Sequence, residues 1–154
     1  MLNKYNSKVS DQYTTPIKVW KNIEEFIPKD KKIWCPFYCN GMHTLKDLSY
    51  DIIHKDEDFF KYAPDEYDLI CDNPPFSILK KIIPRLYELD KPFILIVRIN
   101  TICNKYCNIL KENYGDLQMI IPNGRISFNA KNPSFDSAYL CYKMNLDKDI
   151  IFLK

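Results

Sequence analysis

The chain has 154 residues, 46% of them hydrophobic and 27% charged, with a formal net charge of +2. That suits one globular domain with a real hydrophobic core, and it excludes a disordered chain or a uniformly basic, charge-driven nucleic-acid binder. No apolar run approaches the roughly 20 residues of a membrane span, and "MLNKYNSKVSDQ" lacks the apolar core of a signal peptide, so the expectation is an intracellular protein.

Residues 1–13 are polar and read as a loose N-terminal segment of a single domain. "TTPIKVWKNIEEFIP" predicts a helix: Thr14 or Thr15 can cap it, Pro16 suits its first turn, and Ile17, Trp20, Ile23 and Phe26 recur every three residues. "KKIWCPF" predicts a short buried strand with a proline stop. "YCNGMHTLKDLS" turns at Asn40-Gly41 and starts a short helix. "YDIIH" and "YDLIC" predict the second and third strands, separated by the acidic "KDEDFF". "SILKKIIPRLYELD" reads as a helix that Pro84 should kink or restart. "PFILIVRI" has the continuous apolar character of a parallel strand covered on both faces. "NKYCNILKENYG" is helical up to Gly115, and "LQMIIP" and "SAYLCYKM" close the chain as two strands around "NGRISFNAKNPSFD". Strands alternating with helices predict an α/β fold with a mostly parallel sheet; the last two strands, joined without a helix, predict an antiparallel edge.

The six cysteines are Cys35, Cys39, Cys71, Cys103, Cys107 and Cys141. Their Cys-x3-Cys spacing is unlike that of zinc fingers, and Cys71 and Cys141 sit in apolar runs as small core residues. No metal site is expected. Three glycines in all leave no Gly-rich phosphate loop. His43 and His54 are too few and too scattered for a hydrolase triad, and His54, at a strand end, reads as structural.

The informative stretch is "YDLICDNPPFS". An aliphatic strand stops at Asp72-Asn73-Pro74-Pro75-Phe76, where two prolines cannot donate to a sheet ladder. Ligands of open α/β sheets bind beyond the carboxyl ends of strands. There the Asn73 amide oxygen and the Pro74 carbonyl can both accept hydrogen bonds, and Phe76 offers a ring on which a flat base can stack. Two convergent acceptors suit a planar –NH₂ group.

These residues resemble the [Asp/Asn/Ser]-Pro-Pro-aromatic motif of amino-methyltransferases that use S-adenosylmethionine (SAM). Thr15-Pro16 resembles the Thr-Pro element of many adenine methyltransferases, and "HKDEDFF" resembles their Asp-Phe-Phe element. The order Trp-x-Pro-Phe, Asp-Phe-Phe, Asn-Pro-Pro-Phe-Ser, followed by "PNGRISF" and "FDSAYLCYKM", is similar to small phage- and viral-type DNA adenine-N6 methyltransferases. The resemblance covers residues 14–144. It implies a Rossmann-like SAM-dependent methyltransferase fold, SAM as cofactor and DNA as partner. It places Thr15, Pro16, Trp34, Pro36 and Phe37 on the methionine side of SAM. Asp56 or Asp58 would bind ribose or adenine, Phe59 would pack on the SAM adenine, and Asp72 would border the cofactor. Asn73, Pro74, Pro75 and Phe76 would hold the target amine and base. Phe128 could hold the flipped base, and Arg125 and Lys131 could reach phosphates. Arg98, at the end of the apolar strand, could do the same or pair with an acidic neighbour. The first loop, Pro36 to Gly41, departs from the family's usual Gly-rich form. In-line methyl transfer needs neither a metal nor a covalent enzyme intermediate. The same tip would serve an RNA base or a protein glutamine, and a catalytically silent partner subunit is the reading from another class. A domain this small could act as a homodimer, which the sequence leaves open.

Overall fold

A computed structural model describes residues 14–39, 41–103, 116–128 and 136–154. The predicted helix over 104–115, the N-terminal segment 1–13, Asn40, Cys107 and Lys131 lie outside the described residues.

Seven strands form one sheet in the order β2-β1-β3-β4-β6-β5-β7. They are β1 (Lys32–Trp34), β2 (Asp51–Ile53), β3 (Leu69–Asp72), β4 (Phe93–Arg98), β5 (Leu117–Ile121), β6 (Ser137–Tyr142) and β7 (Ile150–Phe152). β2, β1, β3 and β4 are mutually parallel, as are β5 and β7, and only β6 opposes its neighbours. The expected antiparallel pairing therefore occupies the C-terminal part of the sheet. β7, whose "IIF" gives no strand signal beyond three apolar residues, was not expected from the sequence.

Both sheet faces are covered, and period-2 alternation divides the core. Phe93, Leu95 and Val97 of β4 join Leu140 and Tyr142 on the face under α2 (Leu79–Leu89). Ile94 and Ile96 join Tyr139 and Cys141 on the face under α1 (Ile17–Lys21). Each of these aliphatic and aromatic side chains contributes about 1.5–3 kcal/mol by leaving water.

Two helices depart from the expected form. α1 is shorter than predicted, is preceded by extended Pro16 without a side-chain cap, and gives way to a 3-10 turn at Glu24–Phe26. α2 runs through Pro84 without interruption. Lys80, Lys81, Pro84 and Glu88 are all exposed, so the helix carbonyl that proline leaves unpaired faces water.

The Cys141 thiol lies in this core, and burial pushes it from the ordinary value near 9 up to about 12. Burial also raises the Tyr139 hydroxyl, which donates to the Val19 carbonyl at 2.6 Å. A raised folded-state value means that stability is complete below pH ~9 and is lost as the pH climbs toward the folded value. The expected slope from Cys141 is roughly 1 kcal/mol per pH unit above 9. Urea midpoints measured under reducing conditions at pH 8, 9 and 10 should show this loss, and Cys141→Ala should reduce it by the Cys141 share, leaving that of the buried Cys35 and Cys71 thiols.

Candidate active site

The chain leaves β1 in one direction to form β2 and then crosses back to form β3 on the other side of β1. That reversal opens a crevice at the carboxyl ends of β1 and β3, the place where α/β sheets bind ligands.

Asp72, the last residue of β3, anchors the crevice and is 2% exposed. Its Oδ2 accepts from the Phe37 backbone N–H at 2.7 Å, joining the loop after β1 to β3. Its Oδ1 accepts from the Asn73 N–H at 2.7 Å and lies 3.0 Å from His43 Nε2. His43 Nδ1 accepts from the Leu45 N–H, so this ring is a neutral imidazole that donates through Nε2 to Asp72. His43 also stacks on Trp20 at 5.6 Å. Three donors thus satisfy a carboxylate that burial would otherwise penalise heavily. Burial, with the Asp72 negative charge added to it, holds the nearby Cys35, Cys39 and Cys71 thiols above their ordinary range. They stay protonated at neutral pH, which is unsuited to nucleophilic thiolate chemistry.

Beyond Asp72 the backbone is stiff. Pro74 and Pro75 are buried, and the Pro75 carbonyl accepts from the Ile78 N–H at 3.2 Å, which ties the tip to the 3-10 turn leading into α2. The Asn73 Oδ1 atom is buried and has no hydrogen-bond partner among the described residues. Phe76 is half-buried, with the Arg98 guanidinium 5.2 Å above its ring. This is a cation–π contact on the aromatic of the tip.

The other expected cofactor residues divide into those brought to the crevice and those held elsewhere. Thr15 is buried, and its carbonyl accepts from Thr44 Oγ1 at 2.7 Å, on the 3-10 helix Thr44–Leu48 that His43 caps. Pro16 follows at the start of α1. Trp34, Phe37 and Phe59 form an aromatic cluster, with ring centroids 5.6 Å apart for Trp34–Phe59 and 5.1 Å for Phe37–Phe59. Pro36 is buried between them in sequence, and Phe59 is fully buried, so it forms the cluster's interior. Asp58 turns its carboxylate onto its own loop, accepting from the Phe60 N–H at 3.0 Å and lying 3.9 Å from Lys61 Nζ. Asp56 is half-buried on the same loop.

Arg125 and Phe128 have different surroundings. Arg125 is exposed and paired with Asp136 through contacts of 2.7 and 3.4 Å. Asp136 in turn accepts from the Ile99 N–H through its backbone, which puts Arg125 on the carboxyl rim near Arg98. Phe128 is 4% exposed and belongs to the core under α1, with no open face for a base in this arrangement. Phe128→Ala is therefore expected to cost about 3–5 kcal/mol of stability. Arg125→Ala should stay within about 0.5 kcal/mol of the unaltered protein. Urea denaturation of the two variants checks both; a Phe128 that only received a base would leave the midpoint unchanged.

Sequence reasoning missed the two histidines. His43 meets Asp72 across 29 positions, and no local pattern marks that contact. The one available signal was its place ahead of "TLKDL", a helix-capping position. His54 lies beside it, with ring centroids 5.2 Å apart.

A doubly covered α/β sheet, parallel but for β6, with a polar crevice at its switch point, is consistent with a Rossmann-like methyltransferase fold. Over 47 residues the chain is 38% identical to the Type II methyltransferase M.EcoRI of Escherichia coli. That stretch is 30% of this chain and 14% of the length of the relative. No family model matches the chain. No helix among the described residues is long and apolar enough to cross a membrane.

Proposed function

We propose that this chain transfers a methyl group from SAM to the exocyclic N6 amine of adenine in DNA. The observation that carries this reading is the Asn73 Oδ1 atom, a buried acceptor without a donor at the rigid end of β3. Native interiors rarely leave such an atom unpaired, so it points to a ligand that brings an N–H. Asn73 as a residue is half-buried at the end of β3. The similarity to a type II methyltransferase supports methyl transfer, and the Asn-Pro-Pro-Phe tip supports an amine acceptor.

The residues present also fit the methyl donor. The residues at the crevice include the aromatic cluster of Trp34 and Phe37, the Asp72 carboxylate and the His54 Nε2 atom, all buried in this arrangement. Such a donor set suits a ligand carrying an ammonium, hydroxyls and a positively charged sulfur. Thr15, Pro16, Trp34, Pro36 and Phe37 would border its methionine part. Asp56 or Asp58 would take its ribose or adenine, and Phe59 would support the wall that faces the adenine. When bound, SAM supplies an electrophilic methyl group on a sulfonium.

The chain's own residues do the rest. Asn73 Oδ1 and the Pro74 carbonyl accept from the target amine, whose lone pair is otherwise delocalised into the base. Their dipoles stabilise the positive charge that develops on that nitrogen. Pro74 and Pro75 keep the two acceptors in place, so positioning costs little at the moment of reaction. The Phe76 ring takes one face of the base, which must first leave the duplex stack. Arg98 and Arg125, exposed on the same rim, suit phosphate contacts.

The test is incubation with radiolabelled SAM and, separately, mixed-sequence duplex DNA, total RNA and cell protein, each beside Asn73→Ala. Label recovered from DNA as N6-methyladenine, and lost in the variant, is the expected result. Label in RNA or protein would move the acceptor, and no label together with no SAM binding would overturn the reading.

A further inference from the structure

His54 has a ring nitrogen that no described residue pairs. The residue follows β2 directly, at the carboxyl edge of the sheet. Its Nδ1 lies 2.8 Å from the Cys35 carbonyl oxygen. A carbonyl can only accept, so Nδ1 carries a hydrogen, and the neutral form of the ring presents a lone pair at Nε2. That Nε2 is buried and has no partner among the described residues.

The ring is not free to turn toward another partner. Tyr38 stacks on it at 5.0 Å with the planes 29° apart, and His43 meets it edge-on at 5.2 Å. Gly41 lets Tyr38 lie there: its φ is +71°, and a Cβ at this position would fall 2.6 Å from the Tyr38 hydroxyl. Rotating the imidazole would forfeit the bond to Cys35 and the stack together. The unpaired acceptor is thus maintained by its surroundings. His54 also lines, with Lys55 and Tyr62, an open groove of about 570 Å³ beside β2.

We infer that His54 Nε2 accepts a hydrogen bond from an N–H or O–H of the methyl donor bound in the crevice, making His54 a binding residue of that ligand. This rests on the SAM reading above. Tyr38, half-buried on the loop after β1, stacks on the ring and borders the approach to it. The two groups that could supply the hydrogen are a hydroxyl of the nucleoside part and the ammonium of the amino-acid part.

His54→Asn separates the two nitrogens. Its amide N–H can still reach the Cys35 carbonyl, and no acceptor remains at the place of Nε2. His54→Gln carries an amide oxygen farther out and is the rescue variant. Calorimetric titration of S-adenosylhomocysteine is expected to show about 10-fold weaker binding for the Asn variant, with much of the loss recovered by Gln. Melting temperatures of both should stay within about 4 °C of the unaltered protein. Repeating the titration with methylthioadenosine, which lacks the amino-acid part, assigns the donor: a retained penalty means the nucleoside hydroxyl, a vanished one the ammonium. Equal binding by the unaltered protein and the Asn variant would overturn this inference and leave the methyltransferase reading standing. No binding of either probe by the unaltered protein would overturn both. If the Asn variant fails to fold, the Gln variant decides: near-normal binding supports the acceptor role, and loss at an unchanged melting temperature refutes it.

Discussion

Replacing Asn73 with alanine is expected to lower the rate of methyl transfer by about 10²–10³-fold, the usual consequence of deleting one preorganised polar group from a transition state. Binding of S-adenosylhomocysteine should change little. Stability should not fall, because Oδ1 has no partner among the described residues to lose. Removing a buried orphan acceptor is neutral or mildly stabilising, whereas removing a satisfied one is costly. The combination of a large rate loss with an unchanged or higher melting temperature is what separates a functional Asn73 from a structural one. Asn73→Asp retains an acceptor and should keep part of the activity. Single-turnover kinetics with thermal melts of both variants check this; an Asn73→Ala protein that melts much lower yet turns over normally would contradict it.

Asp72→Ala should have the opposite signature, dominated by stability. The substitution strands three donors at once: the Phe37 N–H, the Asn73 N–H and His43 Nε2. Each buried donor left without a partner costs about 1–3 kcal/mol, and partial relaxation makes the total less than additive, so about 3–5 kcal/mol is expected. For a domain of this size that lowers the melting temperature by about 10 °C or more. The milder Asp72→Asn removes the charge while keeping one oxygen, and it gives a second readout. The Cys39 thiol is held up first by burial and then by the Asp72 charge, so losing the charge should bring it down. Faster alkylation of Cys39 by iodoacetamide at pH 8 in that variant would show it, and an unchanged rate would place the cause in burial alone.

Much of the fold was legible because its signals are local. The continuous apolar run of β4 announced a strand buried on both faces, and both faces are covered. The turn at Gly41, the strands β1 to β6 and the stiff Asn-Pro-Pro-Phe tip after β3 were all readable from residue type and spacing. What misled was also local. The spacing of Ile17, Trp20, Ile23 and Phe26 suggested one long helix, yet the segment breaks after Lys21 and only its apolar side is used. Pro84 suggested a kink that solvent at the exposed face makes unnecessary. Phe128 looked available to a base in the chain and lies in the core in the fold.

The sequence by itself determined the α/β class, the buried strands and the stiffness of the Asn-Pro-Pro-Phe tip, since each depends on a handful of consecutive side chains and on backbone limits that proline imposes. Only the tertiary structure decided that Asp72 is clamped by Phe37 and His43, that Asn73 Oδ1 and His54 Nε2 are left as buried acceptors, and that Arg98 lies over Phe76. Those relations join residues 22 to 35 positions apart in pairings set by sheet order, and burial by the whole core is what turns an unpaired oxygen or nitrogen from an ordinary water-bonded atom into a site that calls for a ligand.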